Sequence, residues 1–166
     1  MVKDEIFMEM CIKEAECAFA ENEVPVGAVI ITGDQKVIAK THNLTIHLNS
    51  AVAHAEILAI GQASEALNNY RLKDCTLFVT KEPCIMCAGA IIEARIGRIV
   101  FGCFDGRRGA FGSLIDVNRI PLNHKVKVRG GVFRERNEAL LREFFELRRG
   151  TEAAVTGPTR NRLYAL

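Results

Sequence analysis

The chain predicts an α/β fold in which helices cover both faces of one sheet. Three observations predict it: apolar runs of strand length recur along the 166 residues, segments of helical period separate them, and no internal repeat or low-complexity stretch breaks that order. The length suits one domain, expected over residues 1–150. With 49% apolar and 25% charged residues the composition is globular rather than disordered. Charged side chains interrupt every apolar run well short of the about 18 residues a membrane span needs, so no membrane association is expected. The start, Met1-Val2-Lys3-Asp4-Glu5, carries no secretory pattern, and six cysteines without one read as thiols of a reducing compartment. The cytoplasm is therefore the expected location.

Residues 3–21 place Ile6, Phe7, Met10, Cys17 and Ala18 at helical spacing between acidic side chains, which predicts an amphipathic first helix ending before Pro25. Val26-Gly27-Ala28-Val29-Ile30-Ile31, the turn residues Gly33-Asp34 and Val37-Ile38-Ala39 predict a hairpin of two strands. Helical periodicity returns over 54–68 through Ile57, Leu58, Ile60 and Leu67. Cys75-Thr76-Leu77-Phe78-Val79-Thr80 reads as a buried strand that runs into Pro83. Proline suits the first position of a helix, here expected over 84–94, because its φ is preset and it has no amide hydrogen to lose. Arg98-Ile99-Val100-Phe101-Gly102 predicts another strand, 126–130 a fifth, and 136–149 a charged closing helix. Residues 150–166, with Gly150, Gly157 and Pro158, show no period and are expected to form a flexible tail over 151–166.

Five side chains carry the chemistry: His54 and Glu56 in His54-Ala55-Glu56, and Pro83, Cys84 and Cys87 in Pro83-Cys84-Ile85-Met86-Cys87. Two thiolates and one imidazole form a ligand set that suits zinc, and three protein ligands leave the fourth tetrahedral corner for water. No fourth ligand stands at the spacing a closed, structural site requires. Zinc with an open corner lowers the pKa of its water from about 15.7 to about 7. Glu56 then has a task, accepting and returning that water's proton.

The spacing also predicts where these groups sit. Cys84 and Cys87 are three residues apart and share a helix face, in a first turn whose free amides and dipole stabilise thiolates. Residues two apart on a regular helix point away from each other, so His54 is expected in the flanking position before a helix and Glu56 in its first turn. The two helix starts must then lie side by side at the ends of neighbouring strands. A redox Cys-x-x-Cys pair is disfavoured by the proline before the first cysteine and by the upstream His-x-Glu. Cys11, Cys17, Cys75 and Cys103 are expected as small core hydrophobes, and His47 and His124 as surface or loop residues.

Net charge is only +2, but residues 1–30 hold seven acidic and two basic side chains. Residues 95–129 hold eight basic ones, Arg95, Arg98, Arg107, Arg108, Arg119, Lys125, Lys127 and Arg129, against Asp105 and Asp116. Such a segment is either a solvated basic surface or a phosphate-attracting field whose effect falls with salt.

With Val24-Pro25-Val26-Gly27-Ala28-Val29, Ala53-His54-Ala55-Glu56, Glu82-Pro83-Cys84-Ile85-Met86-Cys87-Ala88-Gly89-Ala90 and Arg95-Ile96-Gly97-Arg98 in this order, the chain resembles the bacterial tRNA-specific adenosine deaminases over residues 3–149. The His-x-Glu and Pro-Cys-x-x-Cys signature is shared by zinc deaminases of nucleobases, in which the glutamate is not a ligand. The resemblance implies a cytidine-deaminase-like three-layer α/β/α sandwich around a mixed five-stranded sheet. It implies a homodimer with one Zn2+ per subunit that converts adenosine to inosine at wobble position 34 of an arginine tRNA. His54, Cys84 and Cys87 would be the ligands and Glu56 the proton shuttle. Asn43 would hydrogen-bond the target base in the anticodon loop, and Asp105 would lie beside a flanking ribose. Phe144 with Phe145, and Arg148 with Arg149, would meet the anticodon loop from the last helix. Two stretches depart from the pattern: Leu48-Asn49-Ser50-Ala51-Val52 lacks the Asp-Pro often found before the histidine, and the tail after Gly150 has no counterpart.

Two other readings use the same residues. A deaminase of a free base or nucleoside, such as guanine or cytosine, needs the same five side chains; the basic segment and the Arg-rich last helix favour RNA. An inert RNA-binding subunit with structural zinc would have no use for Glu56.

Overall fold

Five apolar or β-branched segments pair into one sheet in a computed structural model that describes residues 3–155. They are β1 (Gly27–Ile31), β2 (Val37–His42), β3 (Thr76–Lys81), β4 (Arg98–Cys103) and β5 (Lys127–Arg129), in the order β2-β1-β3-β4-β5. The hairpin pair β1/β2 and the pair β1/β3 are antiparallel, whereas β3/β4 and β4/β5 are parallel. Four helices cover this mixed sheet: α1 (Lys3–Ala20), α2 (Ala55–Ala66), α3 (Ile85–Glu93) and α4 (Arg134–Val155).

The central strands read as unbroken apolar runs because both of their faces are buried. Alternate side chains enter two cores. Ala28, Ile30, Leu77, Val79, Ile99 and Phe101 pack under α2 and α3, among Ala55, Ala59, Ala63, Ala88 and Ile91. Val29, Ile31, Phe78 and Val100 face the other way, onto Phe7, Met8, Cys11 and Ile12 of α1. The α4 helix lies on that second face, touching α1 and β4. The result is the three-layer α/β/α sandwich expected from the resemblance.

Several expectations are corrected. The buried face of α1 is Phe7, Met8, Cys11, Ile12, Ala15 and Ala18, while Ile6 and Cys17 are exposed. The helix carries two apolar stripes, and only the one that meets the sheet is covered. The fully buried face of α2 is Ala55, Glu56, Ala59 and Ala63; of the larger residues that mark its period, Ile60 packs partly buried against the same core, and Leu67 is exposed. Pro83 precedes α3 rather than opening it, since Cys84 takes the extended N-cap position. The last helix begins two residues earlier than expected and runs on to Val155, through Gly150; residues 156–166 of the expected tail lie outside the described residues.

The basic segment is also partly spent inside the fold. Asp4, a buried residue, receives Arg98 through two hydrogen bonds of 2.8 and 2.6 Å, and Arg129 joins on the same carboxylate. The Arg98 hydrogen bond holds the Asp4 carboxyl below its usual range, against the upward push of burial and with help from Arg129. These two arginines tie α1 to β4 and β5, and the single Asp4 carboxylate offsets one of their two charges.

Gly27 fixes how closely α1 lies on β1. A Cβ there would collide with the backbone of Cys11 and Ala15, groups that no rotamer change can move. Gly27→Ala is expected to cost about 3 kcal/mol, at the upper end for overpacking. A thermal melt that matched the parent would contradict this.

Candidate active site

His54 and Cys84 are the N-caps of α2 and α3, with φ/ψ of −74°/149° and −73°/173°. A usual N-cap side chain folds back onto a first-turn amide, and neither of these does. Both are left to point at a common centre. The N–H of Ala55 that opens α2 is instead taken by Asn43 Oδ1 at 2.9 Å, from the residue directly after β2. Cys87 comes one turn into α3 and is buried. The sequence-based placement of His54 before a helix and of Glu56 in its first turn agrees with this geometry, and only Cys84 sits one step earlier than expected.

The three donor atoms form a compact triangle. Cys84 Sγ is 3.7 Å from Cys87 Sγ and 3.7 Å from His54 Nδ1, and Cys87 Sγ is 3.4 Å from His54 Nδ1. Tetrahedral bonds of about 2.3 Å to sulfur and about 2.0 Å to nitrogen require separations of about 3.8 Å between sulfurs and about 3.5 Å between sulfur and nitrogen. The triangle matches a single zinc ion with Nδ1 as the imidazole ligand. Among the described residues it is the only group of three or more His, Cys, Asp or Glu side chains spaced to hold a metal.

Without a cation the two sulfurs share one proton. The hydrogen bond from Cys87 pulls the Cys84 thiol down to about 3, against burial and with help from His54. Cys87 is pushed far up, first by that same contact with Cys84 and then by burial and the Glu56 charge. Its contact with Cys84 also raises His54, against burial and with help from Glu56. Glu56 is only 4% exposed, and burial pushes its carboxyl above the usual glutamate range.

These groups open onto a cleft of about 190 Å³, whose lining includes Val24, Val26, Asn43, Thr45, His54 and Glu56 on one side. Lys81, Glu82, Cys84, Asp105 and Arg108 line the other. Asn43 is thus brought to the site as expected; with Oδ1 committed to Ala55, its amide NH2 is the group left for a ligand. Asp105 is brought to the rim. Its carboxylate pairs with Lys81 Nζ at 2.7 Å and accepts from the amides of Arg107 and Arg108 at 3.0 and 3.2 Å. Burial pushes Asp105 up, but Lys81 and those amides outweigh it and hold the carboxyl below its usual value.

Phe144 and Arg148 are not among the residues lining the cleft. Phe144 is 4% exposed, packed edge-on against Phe19 at 5.6 Å and Phe145 at 5.5 Å. The Arg148 guanidinium lies 4.9 Å from the Phe144 ring centre and donates to the carbonyl of Asn22. Both therefore join α4 to the end of α1, and Phe145 is the exposed ring of the pair.

Sequence reasoning missed two buried carboxylates that hold the cleft walls. Glu23 is fully buried and accepts from the amides of Ile46 and His47 at 2.7 and 2.8 Å and from the Thr45 hydroxyl at 2.9 Å. Glu82 performs the same task for the loop 105–113. The available signal was weak: an acidic residue directly before an apolar or proline-led strand end.

The family model for MafB19-like deaminases matches residues 2–148. The chain is 42% identical over 156 residues to the tRNA-specific adenosine deaminase of Bacillus subtilis strain 168, covering 93% of this chain and 96% of that one. The chain belongs to this deaminase family. The deaminase is also similar, at TM-score 0.78 and 40% identity, to a structure solved in a study of A-to-I editing by tRNA:A34 deaminases at the wobble position of transfer RNA. That match covers 81% of this chain and 98% of the other. A guanine deaminase from Nitrosomonas europaea is similar at TM-score 0.70 and 25% identity, over 84% of the deaminase and 83% of that chain.

Proposed function

We propose that this deaminase hydrolyses adenosine to inosine at the wobble position of a tRNA, an arginine tRNA by the resemblance, with release of ammonia. The observation that carries the chemistry is the donor triangle of His54, Cys84 and Cys87 beside a buried glutamate on one cleft. The similarity to tRNA-specific adenosine deaminases over nearly the full chain supports the substrate. The reading includes one Zn2+ per subunit and a homodimer in the cytoplasm. Free thiols at all six cysteines support a reducing compartment. Exposed Leu48, Val52, Ile85 and Leu114, each more than half exposed, support burial against a second copy. Among the described residues no helix is long and apolar enough to cross a membrane.

Bound zinc would supply a water that is acidic enough to act as a nucleophile near neutral pH. Glu56 is placed to take a proton from that water, deliver it to the purine ring nitrogen next to carbon-6, and then carry one to the departing amino group. Its burial beside the ligands shields it from bulk water, so the proton it takes up is passed within the cleft. The Asn43 amide orients the base as a donor, and Val24 and Val26 offer apolar surface to its ring. A base must leave its stack to reach this depth, which is easiest in an RNA loop. Exposed Arg107 and Arg108 at the rim suit the phosphates on either side of it.

The test is to incubate zinc-loaded protein with anticodon stem-loops and a total tRNA pool and to analyse the nucleosides for inosine. Inosine at a wobble adenosine is expected, and its absence from every RNA would remove the substrate assignment. The similarity to a guanine deaminase gives the second reading its support, and ammonia released from guanine but not from RNA would favour it.

A further inference from the structure

We infer that Glu82 is the positioning residue that holds the cleft wall carrying Asp105 and Arg108 at the separation an RNA loop requires, acting on recognition rather than on the chemical step. The inference rests on the RNA-deaminase reading. Glu82 is only 3% exposed, and among the described residues its hydrogen-bond partners are backbone amides and one hydroxyl. Both of its oxygens are filled by the loop 105–113. Oε1 accepts from the amides of Phe111 at 3.0 Å and Ser113 at 3.1 Å, and Oε2 accepts from the amide of Asp105 at 3.0 Å and from the Ser113 hydroxyl.

The loop thus wraps around one carboxylate. Gly109 makes the wrap possible, because a Cβ there would collide with the Glu82 carboxylate itself. The same loop is stitched to the ligand-bearing segment by a bridge between Gly109 and Cys84 and by the Ala110 amide donating to the Pro83 carbonyl at 2.9 Å. Glu82 stands directly before that segment and lines the cleft with Asp105 and Arg108. This side chain, together with those backbone contacts, therefore sets the distance from the metal ligands to a rim of one acid and one base. A small neutral substrate held at the ligands has no need of that distance.

A carboxylate is the group these donors require. An amide in its place would turn its NH2 either toward the Phe111 and Ser113 amides or toward the Asp105 amide, setting donor against donor in both orientations. Glu82→Gln, although equal in size, is expected to release the loop. Ser113→Ala is the milder variant, since it removes only the hydroxyl contact on an exposed residue.

The experiment measures both variants with zinc bound, on an anticodon stem-loop, alongside Arg108→Ala and the double variant Glu82→Gln/Arg108→Ala. Amide exchange is followed in parallel. We expect the Asp105, Phe111 and Ser113 amides to exchange about tenfold faster in Glu82→Gln while strand amides hold. KM for the stem-loop is expected to rise about tenfold with a much smaller change in kcat, and less in Ser113→Ala. The double variant is expected to be little worse than Arg108→Ala, because both act through one wall. Faster exchange with an unchanged KM would overturn the inference, as would a fall in kcat at constant KM or additive effects in the double variant. Should Glu82→Gln fail to fold, Ser113→Ala with no change in KM overturns it alone. Failure of the parent protein to form inosine is a separate result and strikes the function, not the role of Glu82.

Discussion

Glu56→Gln is expected to bind zinc as the parent does and to lose about four orders of magnitude in kcat, the upper limit for removing one general acid–base group. The substitution is close to isosteric, so the 4% exposed pocket of Glu56 can accept it without a cavity. It also removes a buried ionisable group, and the fold is expected to lose no stability. What it takes away is a buried carboxyl that burial pushes above the usual glutamate range. Asp105 and Glu82 cannot substitute, since the first is paired with Lys81 and the second is filled by four donors of its loop. The measurement is single-turnover inosine formation together with metal content by elemental analysis. Full zinc occupancy with turnover near the parental value would remove Glu56 from the mechanism.

The parts of this molecule that were legible in the sequence are those where local chemistry decides the outcome. The runs around Val29, Phe78 and Val100 read as strands, and the turn residues Gly33-Asp34 read as the link of a hairpin; all three strands are buried on both faces in the structure. The His54 placement followed from a geometric contradiction: two residues two apart on a regular helix cannot reach one ion. Cys84 escaped the same reasoning because proline is so well suited to the first helical position that Pro83 was expected inside the helix. The structure resolves this by making Cys84 an N-cap like His54, so both ligands that open helices are in extended conformation.

Tertiary choices were not legible. Periodicity weights large side chains, so it picked out Ile57, Leu58, Ile60 and Leu67 in α2; only Ile60 of these packs on the core, and the close approach to the sheet is made by alanines. Charge counting could not show that Asp4, about a hundred residues earlier in the chain, returns to pair with Arg98 and Arg129. Nor could residue type show that Phe144, which the resemblance puts at the anticodon loop, packs against Phe19 and Phe145. Glu23 and Glu82 stayed hidden for a related reason. Their partners are mostly backbone amides, which leave no trace in residue type.

Cys87→Ala is expected to abolish stoichiometric zinc binding, weakening it by more than the about 100-fold typical for losing a group that merely supports a ligand, and to abolish inosine formation with it. Cys87 is fully buried in the first turn of α3, and its loss leaves two protein ligands for the ion. The protonation pattern predicts how the parent takes up its ion. At neutral pH Cys84 is already a thiolate, while Cys87 holds the shared proton because its pKa is raised. Zinc must displace that proton, and the contact with Cys84 that raises His54 acts in the same direction. The sign follows: binding strengthens as pH rises and weakens as pH falls, with about one proton released per ion from the sulfur pair. Calorimetry of the metal-free protein in buffers of different ionisation enthalpy measures that number. Zinc should also raise the melting temperature of the parent, because it binds only the assembled triangle, and leave that of Cys87→Ala unmoved. Equal stabilisation of both proteins by zinc would mean that the ion sits elsewhere, and binding independent of pH would mean that Cys87 is not a ligand.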